Sequence, residues 1–97
     1  MNDEIILSID HPAGLHLRPA ALFVRTASRF GSQIQVQNLS RAGTPAVDAK
    51  SMLGVMQAAV SQGHTVRLHA EGADAAEALQ TLEALIRSDF AEPQPTA

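Results

Sequence analysis

The chain has no cysteine, no tryptophan and no tyrosine, and its aromatic content is three phenylalanines. Without thiols there is neither a disulfide frame nor a zinc-thiolate site, which suits a reducing compartment. Basic residues are scarce: seven Lys and Arg against ten Asp and Glu leave a formal charge of -3. Direct nucleic-acid binding normally needs a basic face and stacking aromatics, so this composition argues against it. No apolar stretch approaches the roughly 20 residues of a membrane span. The first residues, Met-Asn-Asp-Glu, are acidic where a secretory signal is basic. We therefore expect a soluble, cytoplasmic protein without membrane insertion. What remains is 97 residues that are 45% hydrophobic, enough for one small domain that buries about 60% of its unfolded surface.

The chemistry concentrates in Gly14-Leu15-His16-Leu17-Arg18-Pro19-Ala20-Ala21. Leu17, Ala20, Ala21, Val24, Ala27 and Phe30 recur at the three-and-four spacing of a buried stripe, so a helix should run to about residue 30 and stop at Gly31. Pro12 and Gly14 mark a turn before it, which puts His16 at the junction of loop and helix. The first turn of a helix leaves backbone N–H groups unpartnered and carries the positive end of the macrodipole, a setting that favours an anion. Phosphate is the natural candidate. An imidazole, with an ordinary pKa of about 6.5, is a nucleophile near pH 7, and His16 supplies one. Arg18 adds a permanent charge and a planar fork of donors, beside the backbone amides of Leu17 and Arg18. Pro19 fits a first helical turn but disfavours helical dihedrals at Arg18, so local rules make Arg18 the cap and Pro19 the first helical residue; a start at His16 stays open.

Counting round this helix places Val24, Ala27 and Phe30 inward and Arg18, Leu22, Arg25 and Arg29 on another stripe. That stripe is either a solvated basic face with one stray leucine or a docking surface, with Leu22 ringed by arginines for an acidic partner.

The remaining elements follow from period and punctuation. Residues 4–9 alternate as a strand, with Ile5, Leu7 and Ile9 on one face, and Gln33 to Asn38 alternates without exception. A short strand is expected over 46–49, preceded by Pro45, which offers no ladder donor and so belongs at a sheet edge or outside the sheet. Residues 51–62 read as a second helix with Ser51 as N-cap and Gly63 as terminator. Met52, Leu53 and Met56 on it either belong to the core or extend the docking patch, as adaptable apolar contacts do. Residues 65–70 form another strand, and 73–90 a last helix with Asp74 and Glu77 in its first turn and Arg87 in its last, as the dipole prefers. His64 and His69 read as surface residues. One domain over 1–90 and a frayed tail over 91–97 complete the expected layout.

Gly14 to Val24 (Gly-Leu-His-Leu-Arg-Pro-Ala-Ala-Leu-Phe-Val) resembles the phosphorylation-site segment of the HPr family, the histidine-containing phosphocarriers of the bacterial phosphoenolpyruvate-dependent sugar phosphotransferase system. Ala49-Lys50-Ser51-Met52-Leu53-Gly54-Val55-Met56 resembles a second segment of the same family, and Ala70-Glu71-Gly72 before an alanine-rich helix a third. The likeness spans about residues 4–86. It implies an α+β open-faced β-sandwich, with a four-stranded antiparallel sheet and three helices on one face.

The resemblance also implies a function. His16 would take a phosphoryl group from enzyme I on its Nδ1 and pass it to a sugar-specific enzyme IIA, with Arg18 and the amides of Leu17 and Arg18 stabilising the transferred charge. Leu17, Leu22, Arg25, Met52, Leu53 and Met56 would form the docking surface, and Ser51 would be a regulatory site for a serine kinase. The protein would be a monomeric carrier, not an enzyme, with no cofactor and no metal. Two departures from the family pattern are Leu17, where a small residue is commoner, and Pro45. A nitrogen-related regulatory paralogue is the nearest rival. A small phosphatase using His16 and Arg18 would have only Asp10 nearby to activate water, and a metal site on His11 and His16 matches no standard ligand spacing.

Overall fold

The structure is a computed structural model and describes residues 2–91. Four strands carry the expected alternation. In β1 (Asn2–Ser8), Leu7 is buried, Ile5 is half-buried and Ile6 is exposed on the opposite face. Ile34, Val36 and Asn38 of β2 (Gln33–Asn38) point inward beneath three outward glutamines. Val66, Leu68 and Ala70 do the same in β4 (Thr65–Glu71). β3 is only Val47–Asp48 and lies at the edge, with Pro45 outside it, because proline offers the ladder no donor.

The strand order is β1-β4-β2-β3, and every pairing is antiparallel. Register brings inward residues opposite one another: Leu7 faces Val66, Ile34 faces Ala70, and Val36 faces both Leu68 and Val47. The three helices are α1 (Leu17–Ala27), α2 (Met52–Gln57) and α3 (Ala75–Arg87). They cover one face, with α3 against β1 and β4, and α1 against α2 and α3. On the open face Arg67 pairs with Glu4 at 2.8 Å and donates to Gln37 Oε1 at 3.3 Å. The expected α+β open-faced sandwich is therefore the observed fold.

All three helices end earlier than expected. α1 stops at Ala27, and Phe30 reaches the core from a tightened turn in which its amide donates to the Ala27 carbonyl. α2 is half its expected length. Asn38, buried in β2, donates to the Ala58 carbonyl at 3.0 Å, and Ala59 turns to a φ of +51°, which no helix continues through. α3 ends at Arg87, after which Asp89 and Phe90 both take positive φ and Phe90 enters the core. Of the expected tail, all but Ala91 lies outside the described residues.

The inward face of α1 also differs. Pro19, Ala20, Leu22, Phe23 and Ala27 are buried, whereas Leu17 and Ala21 are exposed. α1 packs against two helices at once, so its apolar face is wider than a single stripe.

Candidate functional site

His16 is the N-cap of α1, with extended dihedrals (φ -113°, ψ 152°) and no side-chain capping bond. Its imidazole has no hydrogen-bond partner among the described residues, so the ring is not committed to a structural task. The helix thus begins at Leu17, two residues before the position local rules favour for its start. Pro19 falls at the third helical position, where a missing N–H is still harmless because that group would have no intrahelical acceptor. The earlier start carries local strain: Leu17 sits at a φ of +40°, a region costly for a branched side chain. Among the described residues the amides of Leu17 and Arg18 have no hydrogen-bond acceptor, and Pro19 has no N–H to contribute. Arg18 is exposed and has no hydrogen-bond or ion-pair partner among the described residues. Imidazole, guanidinium and two free amides therefore share one end of a helix whose dipole is positive there.

The loop before His16 is held at both ends by the segment that follows α2. At its start, the Ile9 amide donates to the His64 carbonyl at 2.9 Å, the Gly63 amide to the Ile9 carbonyl at 2.7 Å, and Gln62 Nε2 to the Asp10 carbonyl at 3.2 Å. At its end, the Leu15 amide donates to the Val60 carbonyl at 2.9 Å, and the Leu15 side chain is fully buried. Gly14 lies between, at a φ of +57°, with its backbone so close to Val60 and Ser61 that a Cβ would stand 2.8 Å from Ser61 Cα. Only glycine fits both the dihedral and the space. From sequence Gly14 is legible as a turn marker, but the close approach is not, because its neighbour lies more than 40 residues away along the chain.

His11 belongs to this scaffold. Its Nδ1 accepts from the Ala13 amide at 3.0 Å, and its ring packs edge-on against Phe90 at 5.7 Å. Among the described residues no group of three or more His, Cys, Asp or Glu is placed to hold a metal ion. His64 is likewise no plain surface residue. It is half-buried, and its Nδ1 meets Asn38 Nδ2 and the Ser61 amide, both at 3.1 Å.

The expected docking residues separate into two groups. Leu17 is 74% exposed and Leu53 69%, and Met52 is also exposed. Arg25 is exposed as well, although it is engaged with a neighbour. Leu22 is not available: at 7% exposure it is part of the core, because α1 packs on both sides of the stripe that counting assigned to the arginines. Met56 is half-buried against that core. Of the apolar residues expected to dock, Leu17, Met52 and Leu53 are exposed, and Leu22 is not. Ser51 caps α2 as expected, its Oγ accepting from the Gly54 amide at 3.0 Å.

A family model described as the PTS HPr component phosphorylation site matches residues 4–88. The chain belongs to the HPr family. HPr relatives of known name and structure agree. The phosphocarrier protein HPr of Treponema pallidum is 44% identical over 80 residues, which is 82% of this chain and 86% of that protein. The crystal structure of HPr from Thermoanaerobacter tengcongensis superimposes with a TM-score of 0.85 at 48% identity, covering 95% of this chain and 99% of that one. The multiphosphoryl transfer protein of Xanthomonas campestris is 38% identical over 90 residues. That stretch is 93% of this chain but 10% of the relative, so the chain spans about a tenth of that protein's length. The family is that of the HPr component of the PTS, to which the phosphocarrier protein of Treponema pallidum belongs by name.

Proposed function

We propose that the chain carries a phosphoryl group on His16, taken from phosphorylated enzyme I and delivered to a sugar-specific enzyme IIA in the cytoplasm. The observation that supports this is the imidazole of His16 at a helix start, which among the described residues has no hydrogen-bond partner, with the Arg18 guanidinium at the same helix end likewise unpartnered there. The Nδ1 lone pair of His16 attacks phosphorus as the P–N bond to the donor's imidazole breaks, its electron pair returning to the donor. Delivery runs the same step in reverse toward the acceptor. Such a transfer asks for in-line positioning and for stabilisation of charge on the equatorial oxygens, and little else. Arg18 and the amides of Leu17 and Arg18 supply that stabilisation. A carrier must also release what it accepts, which fits an open helix end better than an enclosed pocket.

Docking falls to Leu17, Met52 and Leu53, with Arg18 and Arg25 as the basic rim, and the carrier works as a monomer. Ser51 stands directly before Met52 and Leu53. A phosphate placed there by a serine kinase would add negative charge at the apolar patch and weaken docking of acidic partners. The transfer assay is direct: with phosphoenolpyruvate, enzyme I and an enzyme IIA, the wild type passes label to IIA, and His16→Ala passes none. Label that reaches water and never IIA would favour a phosphatase, and label that reaches only a regulatory acceptor would favour the nitrogen-related branch.

A further inference from the structure

The segment 58–64 supports the His16 loop, and what holds that segment is a histidine used as an acceptor. Ser61 and His64 close a turn in both directions: the His64 amide donates to the Ser61 carbonyl at 3.0 Å, and the Ser61 amide donates to His64 Nδ1 at 3.1 Å. Asn38 donates to the same Nδ1 at 3.1 Å from beneath the sheet's covered face. The orientation of its amide is fixed independently, because Oδ1 accepts from the Ser40 amide at 3.0 Å while Nδ2 also donates to the Ala58 carbonyl. Two donors therefore converge on one ring nitrogen, and that nitrogen must carry a lone pair. His64 is neutral in this arrangement, with its hydrogen on Nε2.

We propose that Asn38 and His64 are positioning residues for the transfer step, holding the bed on which Gly14 and Leu15 seat His16 through the lone pair of His64 Nδ1. This rests on the phosphoryl role of His16. Asn38 is almost fully buried, and a polar side chain in that position must be satisfied; here its partners are the end of α2 and the turn that grips both ends of the His16 loop. A proton on Nδ1 would set a donor against two donors and release the Ser61 and Asn38 bonds together. The geometry thus makes the seat of His16 sensitive to the protonation of a second histidine. Among the described residues, the side chains bonded to the His64 ring and to Asn38 beneath it carry no charge. β2 and the loop after it give neutral Asn38 and Ser40, the turn gives Ser61, and beyond the end of β1 comes Asp10, which meets this segment through its backbone carbonyl. His11 is a second acceptor in the same loop, its Nδ1 taking the Ala13 amide, so the contribution of His64 has to be separated from it.

The variant His64→Asn makes that separation, since an asparagine carbonyl can take the place of Nδ1 as acceptor while His11 is left as it is. His64→Leu keeps the bulk and removes the acceptor. Nitrogen-15 NMR of the wild type at neutral pH should show His64 with bare Nδ1. The Leu15 and Ser61 amide signals should move in His64→Leu, which loses the acceptor, and stay near their wild-type positions in His64→Asn, which keeps one. Phosphoryl uptake from enzyme I should be near wild type in His64→Asn and about tenfold slower in His64→Leu, with KM for phospho-enzyme I unchanged, because a misplaced reacting group costs rate while the docking patch stays intact. Protonated Nδ1 at neutral pH, or a His64→Leu protein with wild-type uptake and unaltered Leu15 amide exchange, would overturn the proposal. If the wild type takes up no phosphate at all, the phosphoryl role fails, and the NMR comparison still decides whether the latch exists.

Discussion

The carboxylate of Asp74 accepts hydrogen bonds from both the amide and the hydroxyl of Ser32, 42 residues earlier in the chain. A third comes from the Gly31 amide at 2.9 Å. Asp74 stands at the N-cap of α3 but makes no capping bond there, so its side chain ties the turn after α1 to the start of α3 instead.

Those bonds, the Ser32 hydroxyl first and the Gly31 amide next, hold the Asp74 carboxyl below its ordinary range. A carboxyl with a depressed folded pKa adds stability that is present above its unfolded value and is lost as pH falls through the folded one. Urea midpoints of the wild type should therefore decline below about pH 4, and Asp74→Asn should be less stable at neutral pH and flatter across that acid window. Parallel curves for the two proteins would show that the tie does not titrate.

Gly14→Ala should cost at least about 1 kcal/mol, from the positive φ alone, with a further penalty where the new Cβ meets the Val60–Ser61 backbone. Because the same shift moves Leu15 and His16, phosphoryl uptake should fall by more than the loss of folded protein explains. Denaturant melts paired with single-turnover uptake measure both.

Leu22 and Leu53 should behave oppositely. Truncating buried Leu22 to Ala removes core contacts and should destabilise by about 2–5 kcal/mol. Leu53→Ala should leave stability within about 0.5 kcal/mol while raising KM for enzyme I. Leu17→Gly should be neutral or stabilising, since glycine accepts the positive φ without strain. Three melting curves and three titrations of enzyme I separate these outcomes.

Ser51→Ala should cost about 1 kcal/mol through the lost cap, and Ser51→Asp should recover most of it, since aspartate caps as well as serine. If Ser51→Asp also slows transfer while Ser51→Ala does not, negative charge and not the lost hydroxyl is what partners sense.

Much of this was legible in the residues, and the remainder failed for identifiable reasons. The alternation from Gln33 to Asn38 matches β2 residue for residue, because one face of the sheet is covered and period two has no competitor there. His16 and Arg18 at a helix start were legible through the turn at Pro12 and Gly14. The apolar run after Gln57 kept helical spacing, yet α2 ends there because Asn38 takes the Ala58 carbonyl, a contact 20 residues distant. Leu22 was assigned to the outer stripe because counting gives angles round a helix but not how many neighbours it packs against. Asp74 obeys the dipole rule in position and ignores it in its bonds. His64 looked like a surface histidine because Asn38, which reaches its Nδ1 from the covered face, lies 26 residues earlier in the chain.

The most direct measurement is where the phosphate resides. Protein incubated with phosphoenolpyruvate and enzyme I should gain one acid-labile, alkali-stable phosphoryl group, and phosphorus and nitrogen NMR should place it on Nδ1 of His16. Phosphate on a hydroxyl, on another histidine, or still acquired by His16→Ala would contradict the assignment of His16 as the carrier.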